Sequence, residues 1–259
     1  MNDEKITILG GFSNQPILVT THSSLRKDIQ SAVRKRISFR YAQLKGLNLS
    51  KLYLADADFY GANLDGCNLE ESDLAGANLE KASLVRANLD RANLAGASMY
   101  DANLSFASAK HASFYGAYID FCTFLDSDLR GSTFEKSRAI SANFTGSKLA
   151  EANFCRAVCC GANFESADLT GAYMGGIDAS QCNFSGAELE SANASGGDFF
   201  ECDFEYAGLT NATFIRADLQ CANLRKCETT NADFTDALIS VEFKNLLIEK
   251  PSNHDTTKP

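Results

Sequence analysis

Residues Gly61–Ala97 read GANLDGCNLEESDLAGANLEKASLVRANLDRANLAGA, with a leucine at every fifth position and a small residue two places before each. Extended in both directions, this spacing runs through positions numbered 4 or 9, from Leu44 to Ile239, without an insertion. Of these 40 positions, 34 are Leu, Phe, Met or Ile; the exceptions are Ala109, Ala139, Cys159, Ala179, Ala194 and Thr229. The residue two before each centre is small in 37 cases, and the intervening residue is Asn or Asp in 22. A helix advances about 100° per residue, so a five-residue step scatters any apolar stripe. A flat strand accepts the step of two but not the following step of three, which points a side chain to the other face. Both steps fit if each pentapeptide is a short extended piece followed by a corner. The small residue and the large centre then point inward, the other three outward, and successive coils pair along an axis. The chain is read as a solenoid.

Ala62-Asn63-Leu64, Ala77-Asn78-Leu79, Ala87-Asn88-Leu89 and Ala222-Asn223-Leu224 match the A(D/N)LXX pattern outright, and the sequence here resembles the pentapeptide repeat family. The resemblance implies an all-β solenoid, a right-handed quadrilateral β-helix over residues 42–240 with four pentapeptides per coil and about ten coils. At ~4.8 Å per coil its length would be ~48 Å. With 20 residues per coil, Phe124, Phe144, Phe164, Phe184 and Phe204 are expected to stack in one core column, and Phe114, Phe134 and Phe154 in another. Near residues 174–198, Ile177 sits at a normally small site beside Ala179, with Gly196-Gly197 close by. That transfer of volume predicts a local bend or a narrowed side, the alternative being a straight rod with a repacked core.

Outside the repeat, residues 1–41 form the expected N-terminal cap. Ile6–Leu9 and Pro16–Val19 suggest a hairpin, and Ser23 or Ser24 caps a helix through Leu25, Ile29 and Val33. This arrangement is similar to the N-terminal cap of some bacterial and phage members of the family. An open solenoid end exposes strand edges and needs such a lid. Residues 241–250 are read as a short C-terminal helix or strand that caps the rod or joins two rods, with a homodimer through residues 238–248; residues 251–259 are read as a disordered tail.

Composition narrows the function. No apolar run reaches the ~20 residues of a membrane helix, and the N-terminus lacks a signal-peptide pattern, so a cytoplasmic location is expected. His22, His111 and His254 are too few and scattered for a catalytic triad or zinc centre, and no phosphate-binding loop is present. No catalytic residue, metal or cofactor is expected. The nine cysteines follow no disulfide framework; Cys67, Cys122, Cys182, Cys202 and Cys227 take the small inward position and are read as reduced core residues.

Charge is the remaining signal. Residues 1–40 carry a net +4, and residues 41–240 a net −13. Between Val158 and Ile215 there is no Lys or Arg, yet there are nine carboxylates: Glu165, Asp168, Asp178, Glu188, Glu190, Asp198, Glu201, Asp203 and Glu205. Asp218 extends the column of Asp178 and Asp198. Three coils span ~14 Å, over which duplex DNA carries ~8 negative charges. The acidic rod resembles the DNA-mimicking Qnr/MfpA branch of the family, although no loop insertion interrupts it and its N-terminal cap is basic. That resemblance implies a non-catalytic protein that binds the basic DNA-binding surface of a DNA-processing enzyme, with a type II topoisomerase such as gyrase as the leading partner and neither nucleic acid nor membrane bound directly. Those ten carboxylates are the candidate partner-binding residues. A second reading of the same residues is a generic interaction scaffold or effector-like pentapeptide repeat protein without DNA mimicry.

Overall fold

The computed structural model describes residues 5–10, 15–241 and 243. A hairpin comes first: β1 (Lys5–Leu9) pairs antiparallel with β2 (Pro16–Thr21), with an irregularity between Ile8 and Leu9. Helix α1 (Leu25–Arg34) follows and buries Leu25, Ile29 and Ala32. Ser24 stands at its N-cap position, but its hydroxyl does not cap the helix; it bonds to the hydroxyls of Thr20 and Thr21. Thr20 also donates to Asp28 at 2.6 Å. Gly10 bridges antiparallel to Ala42, and the Gln43 N–H donates to the Leu9 carbonyl at 3.0 Å. Ile8 is thereby buried in the same apolar cluster as Leu44, Leu49 and Leu52, so the hairpin closes the first coil.

From Gln43↔Asn63 to Asp218↔Leu238, parallel bridges join each residue i to residue i+20 at every fifth position. Twenty residues therefore make one turn of the solenoid, with four faces. One pentapeptide shows how the backbone is satisfied. The Asn63 N–H donates to Ala42 O, Leu64 to Ser83 O, Gly66 to Val85 O and Cys67 to Leu64 O, all between 2.7 and 3.0 Å. The last of these closes a turn whose third residue has φ > 0, the type II geometry. Every fifth residue from Tyr41 to Asp236 has a φ of 51–73°, and 27 of these 40 residues are not glycine.

The fifth N–H, that of Asp65, points away from every ladder carbonyl. It donates to Asn63 Oδ1 at 3.1 Å. All 22 Asn and Asp residues at this position accept the N–H two residues ahead, at 2.9–3.5 Å. An unmet N–H costs about 1–3 kcal/mol where it is buried, which gives the repeat its Asn/Asp preference a physical cause. Where the position is Ser83, Ser108 or Arg138, a carboxylate from the previous coil takes over. Asp65 accepts from Val85 N, Asp90 from Lys110 N and Asp120 from Ile140 N.

The core is a dry stack. Phe124–Phe144–Phe164–Phe184–Phe204 lie parallel, with centroids 4.8–4.9 Å apart. Phe114–Phe134–Phe154 stack opposite them at 4.6–4.7 Å, and the two columns meet edge to face. Two facing Phe columns fill the cross-section, and the centres on a flanking face shrink to Ala139, Cys159 and Ala179 where they pass. When the second column drops to Ala194, Phe199 enters instead, 5.4 Å from Phe214 and 6.1 Å from Phe184. Gly197 accommodates this ring beside Ile177: a Cβ there would lie 2.6 Å from Phe199 Cε2 and 3.0 Å from Ile177 Cγ2. The ladder continues unbroken through this segment, with Met174 N–Asn193 O at 2.7 Å and Asp198 N–Ile177 O at 2.8 Å.

At the C-terminal end Leu238 makes the last bridge, the Ser240 hydroxyl oxygen accepts the Phe243 N–H at 3.2 Å, and the Phe243 ring meets Phe234 edge on at 5.6 Å. The apolar Leu246 and Leu247, most of the 241–250 element and the expected 251–259 tail lie outside the described residues.

Candidate interaction surface

The bridges sort the outward side chains by face. The first face carries the ladder Asn143–Asn163–Asn183–Asp203, the second Lys148–Asp168–Glu188–Gly208–Glu228, and the third Asn153–Tyr173–Asn193–Thr213. The fourth carries Arg138–Val158–Asp178–Asp198–Asp218–Leu238. On this frame the ten candidate carboxylates divide unequally. Glu165, Asp203 and Glu205 stand on the first face, Asp168, Glu188 and Glu190 on the second, and Asp178, Asp198, Glu201 and Asp218 on the fourth. None lies on the third, where Gly175-Gly176 and Ser195-Gly196 leave a bare surface. Over residues 42–240 the fourth face is the most acidic, with eight carboxylates against Lys81 and Arg138.

The carboxylates are not equivalent. Asp168, Asp178, Asp198, Asp203 and Asp218 each hold the N–H of the residue two ahead, at 3.1, 3.3, 3.0, 2.9 and 2.9 Å respectively. Like-charge repulsion along the Asp178–Asp198–Asp218 ladder therefore has a structural counterweight that charge counting alone misses. Asp203 also accepts from Asn223 Nδ2 at 2.8 Å, and Glu201 from Gln181 Nε2 at 2.9 Å. Glu205 pairs with Lys226 at 3.2 Å, so part of its charge is neutralised by a cation just beyond the acidic span. Glu188 and Glu190 line a shallow groove of about 280 Å³ with Thr170, Gly208, Thr210 and Glu228.

The thiols hold no chemistry of this kind. All nine cysteines are free. Cys182 and Cys202, one coil apart, do not pair; each donates its S–H to the carbonyl 23 residues earlier, at 2.9 Å, as do Cys67, Cys122 and Cys227 at 2.8–3.0 Å. A buried cysteine thus adds a second donor to a carbonyl that already accepts the N–H of its corner turn, and is a small apolar filler as well. Burial pushes the Cys67 thiol up to about 11, and those of Cys122 and Cys159 higher still. Among the described residues, no group of His, Cys, Asp and Glu could hold a metal ion, and no helix is long and apolar enough to cross a membrane.

The family model for pentapeptide repeats matches in eight copies, over residues 37–74, 72–105, 97–135, 140–176, 167–205 and 198–236. The chain belongs to the pentapeptide repeat family. Pentapeptide repeat proteins fold as right-handed quadrilateral β-helices, and the 20-residue bridge period found here is that architecture. Among solved structures the chain is similar to HetL, a pentapeptide repeat protein involved in heterocyst differentiation regulation from the cyanobacterium Nostoc sp. strain PCC 7120. That match has 21% identity and a TM-score of 0.52, and covers 82% of this chain and 96% of HetL. It is also similar to trypsin-treated QnrB1, a plasmid-mediated fluoroquinolone resistance protein, at 20% identity and a TM-score of 0.46, covering 79% and 96% of the two chains. No curated protein matches the chain. Likeness at this level bears on the fold alone; family members are in general not enzymes.

Proposed function

We propose that this pentapeptide repeat protein is a non-catalytic binding rod whose acidic C-terminal half engages a basic protein surface shaped to receive duplex DNA. One observation carries the reading: from Val158 to Ile215 the chain has nine carboxylates and no Lys or Arg, with only Glu205 paired, to Lys226 beyond the span, and the nine wrap three of the four faces at a density close to that of a duplex. For the partner, a type II topoisomerase such as gyrase is what the resemblance to the Qnr/MfpA branch implies. Location in the cytoplasm and a joint between two rods through residues 238–248 belong to the same proposal; Leu238 and Val241, which are exposed at that end, support the joint. The test is displacement of labelled duplex DNA from gyrase by the purified protein over a salt series. Displacement should weaken steeply with salt as the Debye length falls from about 10 Å at 0.1 M towards 3 Å at 1 M. DNA that stays bound at low salt with a large excess of the rod would refute mimicry of DNA on this enzyme.

A second reading, a scaffold without mimicry, draws on a different observation. Five of the ten carboxylates already satisfy corner N–H groups, so their occurrence does not by itself require a partner.

A further inference from the structure

The fourth face changes character along its length. Before the acidic ladder begins, it exposes Tyr100, Tyr118, Phe121 and Val158, with Ile140 half-buried among them. Tyr118, Arg138, Val158 and Asp178 are successive rungs of one ladder, so the apolar patch and the acidic column are continuous. Tyr100 and Phe121 meet edge to face at 5.2 Å, which fixes both rings at the surface. Arg138, the one cation within the patch, is already paired: its Nε lies 3.3 Å from Oδ1 of the buried Asp120, which also accepts the Ile140 N–H at 2.9 Å. Asp120 is thus used internally, and the patch presents rings and aliphatic carbon around a compensated charge, with the exposed Asp101 at its N-terminal edge. Among the described residues the second face exposes no large apolar side chain, the first exposes Phe106 and Tyr206 five coils apart, and the third Tyr53, Tyr115 and Tyr173 two or more coils apart, so the contiguous cluster belongs to the fourth face.

We infer that this face is a two-part docking strip for an amphipathic helix of a partner protein, with apolar residues along one half of its contact stripe and Lys or Arg along the other. The inference rests on the acidic-rod reading and deepens it by naming the form of the bound element. Charge complementarity sets the basic half over Asp178, Asp198 and Asp218. The spacing selects a helix: rungs repeat every ~4.8 Å, a helix presents its stripe every ~5.4 Å, and an extended strand every ~6.7 Å. From Tyr118 to Asp218 is five rungs, ~24 Å, over which a helix falls out of step by ~3 Å and a strand by ~9 Å. A helix of about 16 residues covers that length.

The test uses two synthetic helical peptides of the same composition, about 18 residues each. In one, Leu and Phe occupy the first half of the stripe and Lys the second; in the other, Leu, Phe and Lys alternate along it. The full-length protein should bind the segregated peptide roughly tenfold or more tighter, as aromatic anchors at an interface centre do. Tyr118→Ser with Phe121→Ser should erase that preference while weak, salt-sensitive binding survives. Asp178→Asn, Asp198→Asn and Asp218→Asn together should instead remove the salt sensitivity. Equal binding of the two peptides, or unchanged affinity in the Tyr118/Phe121 variant, overturns the docking strip and leaves the acidic rod standing. A triple-Asn variant that keeps the parent's affinity and salt dependence overturns the acidic rod itself.

Discussion

Replacing Gly197 with alanine tests whether core volume is exchanged between coils as the packing indicates. The new Cβ would sit 2.6 Å from Phe199 Cε2, 3.0 Å from Ile177 Cγ2 and 3.2 Å from the Ala194 carbonyl oxygen. Ordinary carbon contacts are about 3.5–4.0 Å, so the Phe199 ring must retreat by about 1 Å. Its retreat is opposed by Phe204 at 5.8 Å and Phe214 at 5.4 Å. Overpacking of this kind costs about 1–3 kcal/mol; the loss of glycine's freedom in the unfolded chain returns about 0.4–1 kcal/mol, leaving Gly197→Ala destabilised by about 1–2 kcal/mol. Ile177→Ala alone should cost about 2–4 kcal/mol through the cavity it opens. Together the two changes restore the small residue found elsewhere in this column, and the new methyl moves into the vacated space. Urea unfolding of the parent, both single variants and the double should therefore show the double at least about 1 kcal/mol more stable than the sum of the singles predicts. Additivity within about 0.5 kcal/mol would mean that the two sites do not share volume, and the exchange argument would fail.

Phe144→Ala should be among the most damaging single changes, about 4–5 kcal/mol by thermal or urea unfolding. Phe144 is stacked on Phe124 and Phe164 at 4.8 and 4.9 Å and met edge on by Phe134 and Phe154. Asp178→Ala should cost about 1 kcal/mol through the Ser180 N–H it leaves unmet, whereas Asp178→Asn should be neutral in the same unfolding assay. Because the Cys67 thiol is raised to about 11 from 9.0, the unfolded chain loses that proton first. Stability should then be intact below pH 9 and fall between pH 9 and 11 by about 1.4 kcal/mol per pH unit for each such thiol. Titrating native protein with a thiol reagent should modify the exposed Cys221 first and leave Cys67, Cys122 and Cys159 untouched until the chain unfolds.

The solenoid was legible because its period is incompatible with every simpler element, and because each core column repeats at an interval that can be counted. The aromatic stacks followed from the same count. What lay beyond the sequence was the use of polar atoms. Nothing in the spacing says that the residue before each centre takes the one N–H the ladder cannot serve, or that Asp65, Asp90 and Asp120 deputise where that residue is Ser or Arg. That omission affects the candidate surface directly. The charge pattern suggests reversing Asp178, Asp198 and Asp218 to lysine as a test that leaves the fold intact, but lysine would also strip three corner N–H groups of their acceptors. Asp65, outward in the N-terminal half and a natural control, is itself bonded to Ser83 and Val85 and is unsuitable. The aromatic patch on the fourth face was hidden for another reason: Tyr118, Arg138 and Val158 are 20 residues apart, and their adjacency exists only once the coil length is applied.

The proposed binding depends on charge, so the decisive measurement changes charge and nothing else. Asp178→Asn, Asp198→Asn and Asp218→Asn together keep each Oδ1 acceptor and remove three negative charges. Asp56→Asn, Glu70→Gln and Asp101→Asn remove three from the N-terminal half, where no side-chain bond to the corner depends on them. Both variants should melt with the parent. In displacement of duplex DNA from gyrase, the C-terminal triple variant should need roughly tenfold or more protein than the parent, by about 0.5–1 kcal/mol per lost contact, and the N-terminal variant about the same amount as the parent. Equal displacement by all three proteins would contradict the account.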